Sequence, residues 1–317
     1  MFGQARRFWR LITIGAPLAV ADPVLALYHL RQSSSEEDVL QRIGVVGLGA
    51  MGIGMARTLA GAGLDVIGFD VDAQKRQAFA ATAESLEALC GGRLDAVVLS
   101  LPNDAIVREV MSALLKALPS GTLVIDTSTI GPDTARDMQR DAAKQGLGYL
   151  DCPVSGGPAG AASGSLLIMA GGAERDVNAA LPVLEPLARK VARCGGPGAG
   201  ATVKLANNVL CAGHLLLAGE AMRIAEAGGV SADALLSALN EGSGRSAVSE
   251  VNLPRWVVSG SFDSGFTMGL MKKDVGLAAA LPGAGRLSQE ISARWQAASA
   301  AIGDSEDFNR IVEGPAP

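Results

Sequence analysis

Aromatic residues and histidines are scarce in this chain of 317 residues. Aromatics make up 4% of the sequence and hydrophobic residues 49%, so the core must be built mainly from Ala, Val, Leu and Ile. The two histidines, His29 and His214, and the four cysteines show no metal-ligand spacing, which argues against a metal site. Scattered cysteines of this kind are more often small buried residues in a reducing compartment.

Charge of one sign is not concentrated anywhere along the chain. The formal net charge is −5, and no block of like charges stands out. This pattern gives no indication of a nucleic-acid partner or of binding to an anionic membrane. The length allows two domains, and many of the 40 glycines lie in patterned places rather than in low-complexity runs.

The first forty residues have the parts of a secretory signal. Arg6, Arg7 and Arg10 precede an apolar run over residues 11–20, and Ala19-Val20-Ala21 resembles a small-residue cleavage site. The arginine pair is also compatible with twin-arginine export. The segment that follows is typical of a cytosolic cofactor domain. We therefore favour a structureless extension on a cytoplasmic protein and keep targeting as the alternative.

A glycine fingerprint follows the first strand-like segment. Residues 43–46 are a short apolar run, and Gly47-Leu48-Gly49-Ala50-Met51-Gly52 leads into a helical pattern over residues 53–62. This is the strand, G-x-G-x-x-G, helix arrangement of a dinucleotide-binding unit. The first glycine permits the tight turn, the second lets a pyrophosphate approach the backbone, and the third lets helix and strand pack closely. Free N–H groups at the helix start favour phosphate binding.

Asp70 follows the next predicted strand, residues 65–69, and lies 23 residues after Gly47. That spacing is typical of an acid that binds the adenosine ribose hydroxyls. The same carboxylate would repel a 2′-phosphate, and no arginine directly follows it, so the sequence favours NAD over NADP. Two alternatives stay open: Lys75 or Arg76 could reach a phosphate, and Asp70 could be a helix N-cap.

Strand and helix patterns alternate in the first half of the chain. Buried-type strands at residues 96–101 and 123–125 are separated by helical patterns at 106–118 and 134–145. Such alternation predicts an α/β fold with a doubly wound parallel sheet and helices on both faces. Ligands bind beyond the carboxyl ends of the strands in these sheets. Residues at those ends are candidates to line the nicotinamide half of the cofactor: Leu101, Pro102, Asn103, Ser128 and Thr129.

Two further glycine-rich segments precede residues that can carry chemistry. The segment from Asp151 contains Ser155, Gly156 and Gly157, which form either an ordinary tight loop or a nest for a carboxylate. A helix after Gly198 would place Lys204 and Asn208 on one face, four residues apart. A cation and an amide so placed can hold a carboxylate and a hydroxyl of one small molecule. Taken alone, a lysine near a helix start is more often a surface residue.

Four motifs in this order make the chain resemble the β-hydroxyacid dehydrogenases, the family that contains 3-hydroxyisobutyrate dehydrogenase and tartronate semialdehyde reductase. They are Gly47 to Gly52, Asp151 to Gly157, Gly198 to Asn208, and Lys272-Lys273-Asp274. The resemblance runs from about residue 42 to residue 313. It implies an N-terminal Rossmann domain over residues 41–201 and an all-helical C-terminal domain over residues 202–317. A long helix from near Thr202 to about Ala227 would join them.

The resemblance also implies an activity, which is hydride transfer between NAD(P) and a small 3-hydroxyacid or its semialdehyde. Lys204 matches the catalytic lysine, the general acid/base, and Asn208 matches the substrate-binding asparagine. Further substrate-binding positions are Ser128, Ser155, Gly156 and Gly157. The implied cofactor-binding positions are Gly47, Leu48, Gly49, Ala50, Met51, Gly52, Asp70, Leu101, Pro102, Asn103, Thr129 and Lys273. The expected assembly is a homodimer or homotetramer.

Two rival functions are compatible with the same architecture. Imine reductases usually carry another residue at the position of Lys204, and non-catalytic NAD-binding scaffolds tend to lose this lysine. This chain keeps Lys204, Asn208 and Ser155 together. The sequence therefore favours alcohol chemistry over both alternatives.

Overall fold

The computed structural model of the chain describes residues 40–314. The predictions for the N-terminal extension, including a targeting role, therefore lie outside the described residues apart from Leu40. Within the described range, eight strands form one sheet in the order β2-β1-β3-β4-β5-β7, and both β6 and β8 pair with β7. The strands are β1 (Arg42–Val46), β2 (Asp65–Phe69), β3 (Ala96–Leu99), β4 (Leu123–Asp126), β5 (Gly148–Asp151), β6 (Val154–Ser155), β7 (Leu166–Gly171) and β8 (Ala188–Gly195).

The strands from β1 to β5 are parallel, as the alternating pattern predicts. The sheet changes direction after β5, because β7 runs antiparallel to both β5 and β6. Strand β8 is again parallel to β7. The sheet is thus mixed at one edge, and the residues between β5 and β7 form the turn that reverses the chain. That turn contains the second glycine cluster.

Helices cover both faces of the sheet. Alternate strand residues feed two separate apolar clusters, since Val45 and Val98 lie in one and Val46 and Leu99 in the other. This is what a strand period of two produces when both faces are buried. The helices are α1 (Ala50–Gly61), α2 (Ala73–Gln77), α3 (Leu86–Gly91), α4 (Asp104–Ala117), α5 (Pro132–Lys144), α6 (Gly157–Ser163) and α7 (Glu174–Leu187).

Three of these helices begin two or three residues before their predicted starts. Helix α1 starts at Ala50 and α5 at Pro132, a residue that suits the first helical position. Helix α4 starts at Asp104 because Asn103 caps it, its side-chain oxygen accepting from the Ile106 N–H at 3.0 Å. Apolar periodicity misses these first turns because capping residues, small residues and prolines occupy them.

The rest of the chain is helical and has its own apolar cluster, which includes Trp295 and Met271. Its elements are α8 (Ala199–Ala227), α9 (Ala232–Glu241), a π-helix (Val248–Val258), α10 (Met268–Ala279), α11 (Arg286–Ile302) and a 3-10 helix (Phe308–Glu313). The long helix α8 is the predicted connecting helix. The division of the chain into domains at residues 201 and 202 stays a prediction.

Helix α8 begins at Ala199, three residues before the predicted start at Thr202. The buried Asp151 carboxylate at the end of β5 accepts from the Gly198 N–H at 2.9 Å and from the Ala201 N–H at 2.8 Å. Gly198 has a φ of 82°, which a residue with a side chain would adopt only under strain. Side-chain capping and a glycine turn therefore set this helix start, and apolar periodicity shows neither.

Among residues 40–314, α8 is also the one helix long and apolar enough to span a membrane by length and composition. The apolar window has a mean hydropathy of 1.2, and 33% of it is buried. Core helices of folded domains pass the same test. Helix α8 contributes Ala212 and Leu215 to the helical-region core, so it is an integral part of the folded unit.

Candidate active site

The fingerprint glycines occupy three different environments at the end of β1. Gly47 has a φ of 93°, and a Cβ there would overlap the Ser100 carbonyl oxygen. A Cβ at Gly52 would overlap the Gly47 carbonyl oxygen. At Gly49, by contrast, no heavy atom of the described part of the chain lies within 4 Å of the Cβ position. The first and third glycines are thus required by the turn and by packing, and the second faces open space where a phosphate could approach.

Asp70 lies at the end of β2 beside this loop and is 7% exposed. Its carboxylate accepts from the Leu48 N–H at 2.8 Å and from the Asp72 N–H at 2.9 Å. Asp72, not Asp70, caps α2 by accepting from the Gln74 N–H at 2.9 Å. The alternative of Asp70 as a helix N-cap is therefore wrong. The remaining residues of the loop, Ala50 and Met51, form the first turn of α1.

The two basic residues after Asp70 differ in their exposure and in their hydrogen bonds to other groups. Arg76 donates to the Asp70 carbonyl oxygen at 2.8 Å and to the Glu84 carboxylate at 3.3 Å, and its side chain is 17% exposed. Lys75 is 48% exposed, with its Nζ 3.8 Å from an Asp70 carboxylate oxygen. Of the two, Lys75 is the cation that could turn toward a phosphate.

Ser128 forms hydrogen bonds that connect the ends of β3 and β4. Its hydroxyl oxygen accepts from the Leu101 N–H at 2.9 Å, and its own N–H donates to the Asp126 carboxylate at 2.9 Å. Leu101, Pro102 and Asn103 continue from β3, while Ser128 and Thr129 continue from β4, so these five predicted residues share the carboxyl edge of two adjacent parallel strands. A hydroxyl has one donor hydrogen and two acceptor lone pairs, so Ser128 keeps further hydrogen-bonding capacity after it accepts from Leu101.

Asp126 is fully buried beneath this edge. The Tyr149 hydroxyl donates to its second carboxylate oxygen at 2.8 Å. Burial raises the pKa of Asp126 to about 6, although the hydrogen bonds from Ser128 and Tyr149 oppose that rise. Asp126 therefore holds Ser128 in position, and Tyr149 holds Asp126. The sequence alone did not indicate these roles.

Lys204 and Asn208 share the buried face of α8, where they are 7% and 4% exposed. The reading of Lys204 as an ordinary surface lysine is therefore wrong. The Asn208 amide donates to the Asp274 carboxylate at 2.6 Å, and Asp274 is itself 1% exposed. Burial lowers the pKa of Lys204, with Lys273 acting in the same direction and the Asp274 carboxylate opposing it.

Lys273 joins this charged group to the sheet. Its Nζ donates to the Thr129 carbonyl oxygen at 2.5 Å and lies 3.1 Å from an Asp274 carboxylate oxygen. Two residues predicted to lie near the nicotinamide, Thr129 and Lys273, are thus in direct contact although they are 144 positions apart. The site therefore combines the β4 end with one face each of α8 and α10.

The second glycine cluster is built differently. Ser155 lies in β6 and pairs with Leu167 of β7. Gly156 and Gly157 have φ values of 135° and 64°, and α6 starts at Gly157, so the cluster is a glycine turn followed by a short helix. In residues 40–314 no hydrogen bond joins it directly to Lys204, Asn208 or Asp274. Its link to them is Asp151, which caps the helix that carries Lys204.

Sequence reasoning missed three acidic residues at the site: Asp126, Asp151 and Asp274. Each lies inside or beside a recognised motif, and each is 1% exposed or less. An aspartate placed directly after an apolar strand run is the signal that would have pointed to the first two. For Asp274 the signal was the Lys-Lys-Asp triplet, but its partner Asn208 is 66 residues away and no spacing rule connects them.

Comparison with known proteins decides the family. The NAD binding domain of 6-phosphogluconate dehydrogenase matches residues 42–196, and the NAD-binding domain of NADP-dependent 3-hydroxyisobutyrate dehydrogenase matches residues 198–314. The 2-(hydroxymethyl)glutarate dehydrogenase of Eubacterium barkeri is 35% identical over 243 residues, which are 75% of this chain and 81% of that protein. This chain belongs to the β-hydroxyacid dehydrogenase family. It is thus a member of a family of oxidoreductases that use a nicotinamide dinucleotide.

Solved structures agree with the family assignment. The Mycobacterium tuberculosis 3-hydroxyisobutyrate dehydrogenase bound to L-serine has a TM-score of 0.79 and 34% identity, covering 86% of this chain and 98% of that one. An imine reductase from Streptomyces aurantiacus has a TM-score of 0.59 at 21% identity, covering 86% of this chain and 99% of that one. The likeness to the imine reductase shows a shared fold alone. The α/β fold with a helical second half is thus that of the β-hydroxyacid dehydrogenases.

Proposed function

We propose that this β-hydroxyacid dehydrogenase interconverts a small 3-hydroxyacid and its semialdehyde, with Lys204 as the general acid/base. The observation that carries the proposal is the burial of Lys204 on the face of α8 that also bears Asn208. A lysine side chain that is buried away from water needs a compensating partner, either for structure or for function. Here the nearby charges are Asp274 and Lys273, and Lys273 is hydrogen-bonded to the loop after β4.

The glycine loop and Asp70 fit a bound dinucleotide, and we propose NAD as the preferred one. The open space at Gly49 suits the pyrophosphate, and the Asp70 carboxylate suits the adenosine ribose hydroxyls. Arg76 is already engaged with Glu84 and with the backbone, which removes one of the two cations that could bind a 2′-phosphate. When bound, the nicotinamide supplies hydride transfer, and the protein holds and orients the reactants.

The protein's own chemistry is proton transfer at the substrate oxygen. A hydroxyl must lose its proton when the alcohol is oxidised, and the carbonyl oxygen must gain one in the reverse direction. A lysine with an ordinary pKa of about 10.4 is a poor base at neutral pH. Burial lowers the pKa of Lys204, so a larger share of its amine is neutral and able to accept that proton.

Substrate recognition would use polar groups from three segments. The Ser128 hydroxyl can donate to a carboxylate, as can the backbone N–H groups around Ser155, Gly156 and Gly157, while the Asn208 amide orients the reacting oxygen. The relatives act on or contain compounds of matching chemistry, since hydroxymethylglutarate, 3-hydroxyisobutyrate and L-serine each carry a carboxylate and a hydroxymethyl group. We therefore propose a substrate in which a hydroxymethyl group is attached to the carbon that bears the carboxylate.

Steady-state turnover of Lys204→Ala on a panel of 3-hydroxyacids tests this proposal. We expect kcat to fall by about 10²–10⁴-fold, which is the usual contribution of general acid/base catalysis. Cofactor binding should persist, because the glycine loop and Asp70 are untouched. Lys144→Ala is the matched control, since that lysine is exposed on α5 and pairs with Asp141. Turnover of the Lys204 variant at the wild-type rate would rule out the mechanism.

The same panel separates the rival functions. A wild-type protein that binds the cofactor but turns over no hydroxyacid, and instead reduces cyclic imines, would be an imine reductase. One that binds cofactor and turns over neither class would be a scaffold. We further propose a cytoplasmic location and a homo-oligomeric assembly, which cell fractionation and sedimentation respectively test.

A further inference from the structure

The residues just before α10 touch the second glycine cluster. The Ser264 carbonyl oxygen lies 3.7 Å from the Cβ position of Gly157, and the Cβ position of Gly265 lies 2.8 Å from the Pro158 side chain. Gly265 has a φ of 78°, so its conformation and its surroundings both disfavour a side chain. We call residues 264–267 the α10 lead. The α10 lead therefore packs directly against the first residues of α6.

The α10 lead continues into the helix that completes the Lys204 group. Helix α10 begins at Met268 and carries Lys273 and Asp274. Lys273 donates to the loop after β4, and Asp274 accepts from Asn208. One short stretch of chain thus contacts the second glycine cluster at its start and carries the partner of Asn208 at its end. Together with the cap at Asp151, it connects the two parts of the proposed substrate site.

Asp307 holds the α10 lead in place. One of its carboxylate oxygens accepts from both the Ser264 N–H, at 2.7 Å, and the Ser264 hydroxyl. The other oxygen accepts from the backbone N–H and the side-chain amide of Asn309, at 3.0 and 2.8 Å. Asp307 is 8% exposed, and a buried carboxylate is costly unless it is hydrogen-bonded. Two of these four neutral donors come from Ser264, so the carboxylate and the α10 lead stabilise each other.

The chain around Asp307 fixes the rest of the same stretch. Thr267 and Asp307 form an antiparallel bridge, and the Phe266 carbonyl oxygen accepts from the Phe308 N–H at 3.0 Å. The Phe266 and Phe308 rings also meet edge to face, with their centroids 5.1 Å apart. Backbone pairing and ring packing therefore set the path of the α10 lead, and Asp307 adds its attachment at Ser264.

The backbone just before the α10 lead is strained. Among residues 40–314, Phe262 is the one residue other than glycine with a positive φ, which is 42°. The Arg310 guanidinium lies over its ring, 4.4 Å from the centroid. A side chain in this backbone region persists only where surrounding contacts hold it there, and such strain clusters at functional sites. Contacts from the C-terminal segment therefore hold this loop in a conformation that it would not adopt alone.

We propose that Asp307 is a positioning residue that acts on the substrate through the α10 lead. By holding Ser264, it fixes the separation between the second glycine cluster and the face of α8 that bears Lys204 and Asn208. In the proposed function, on which this role rests, the second glycine cluster binds the carboxylate and Lys204 acts on the hydroxyl. A fixed separation between these groups favours acids with one particular number of carbons between the carboxylate and the hydroxyl.

Selection between two acids of different length tests this role. The acids 3-hydroxypropanoate and 4-hydroxybutanoate differ by one methylene between the hydroxyl and the carboxylate. We expect the wild-type protein to prefer the shorter acid by at least about tenfold in kcat/KM, and Asp307→Ala to remove most of this preference. The ratio of the two kcat/KM values does not depend on how much of the protein is folded. A purely structural loss of enzyme would therefore leave the ratio unchanged.

A second variant tests the same contact from its other side. Gly265→Ala places a Cβ against Pro158 and leaves Asp307 intact, so it should reduce the preference in the same direction even where Asp307→Ala does not fold. Asp263→Ala is the matched control, since that exposed carboxylate accepts from the Ser261 hydroxyl at 2.8 Å, and its ratio should equal that of the wild type.

The outcomes separate this role from the proposed function. A wild-type protein that turns over both acids equally well, or a wild-type preference that survives in both the Asp307 and the Gly265 variants, would overturn the positioning role alone. A wild-type protein that turns over neither acid would overturn the proposed function and the positioning role with it.

Discussion

The glycine loop after β1 and the charged group around Lys204 are built in opposite ways. The loop, together with Asp70, is assembled from one continuous stretch of chain and presents backbone N–H groups and empty space. The Lys204 group is assembled from three distant segments and consists of buried side-chain charges and amides. Local backbone geometry thus shapes the first region, and long-range electrostatics shape the second. The two should therefore respond differently to substitution.

The largest effect is expected in the glycine loop, where there is no space for an added side-chain atom. A Cβ at Gly52 would overlap the Gly47 carbonyl oxygen, so Gly52→Ala should destabilise the fold by at least about 3 kcal/mol or prevent soluble expression. Gly49→Ala is the matched change, because its Cβ would meet open space, and it should leave the unfolding free energy unchanged while weakening cofactor binding. Urea denaturation and NADH fluorescence titration measure the two effects. Equal stabilities for the two variants would contradict this account of the loop.

The second-largest effect is expected when the charge of Asp274 is removed without a change in side-chain shape. Its carboxylate opposes the lowering of the Lys204 pKa and accepts from the Asn208 amide. Asp274→Asn should therefore lower the Lys204 pKa further and move the acidic limb of the pH profile for alcohol oxidation to lower pH. We expect kcat to fall by roughly tenfold, since each 1.4 kcal/mol of lost orientation is a factor of ten.

Asp304→Asn is the control for Asp274, because Asp304 also pairs with a lysine of α10, the more exposed Lys272. Its pH profile should match that of the wild-type protein. If the acidic limb of Asp274→Asn stays where it is in the wild type, the Asp274 charge does not act on Lys204.

A stability change with a defined sign is expected at Asp126. Burial raises its pKa from 3.8 to about 6, so the folded protein binds this proton more tightly than the unfolded chain does. Stability from this group is full below the unfolded pKa and is lost as pH rises through 6. Asp126→Asn should therefore raise the unfolding free energy at pH 8 by about 1–3 kcal/mol, with little gain at pH 4.

Asp137→Asn provides a control of opposite sign for Asp126. Hydrogen bonds from Arg108 and Arg140 lower the Asp137 pKa, so its charge favours the folded state at neutral pH. Removing it should lower Tm at pH 8 rather than raise it. Thermal unfolding of both variants at the two pH values decides the point, and a loss of stability in Asp126→Asn at pH 8 would show that its charge is structurally required.

The smallest effect is expected in cofactor preference. Asp70→Ala should narrow the ratio of kcat/KM for NAD to that for NADP by roughly tenfold, because a repulsive charge near the 2′ position is lost. Lys75→Ala should act the other way, since the exposed lysine is the cation able to reach a phosphate. Identical ratios in wild type and Asp70→Ala would show that this acid does not select the cofactor.

The same contrast explains what the sequence could and could not reveal. The strands β1 to β4, the loop glycines and the position of Asp70 follow from local patterns, and the structure has them where those patterns place them. Lys204 and Asn208 were correctly placed on one helical face because four-residue spacing is also local. Helix starts were less accurate, since the caps at Asn103 and Asp151 lie outside the apolar periodicity.

The contacts that complete the site are the part no local pattern could predict. Asp274 meets Asn208 across 66 residues, and Lys273 meets Thr129 across 144. The antiparallel edge at β7 was missed for the same reason, because strand direction depends on how the chain reverses after β5. The exposure of four apolar residues along α8 is likewise a property of the packed structure: Val203, Leu210, Leu217 and Ile224. Apolar periodicity alone would have assigned those residues to a core.

The cap that Asp151 places on α8 also fixes the position of Lys204 relative to the sheet. The first turn of this helix is held to the end of β5 by two hydrogen bonds, and Lys204 follows within the next turn. Because Lys273 of α10 also donates to the Thr129 carbonyl oxygen, the helical part of the chain is attached to the sheet at two separate points.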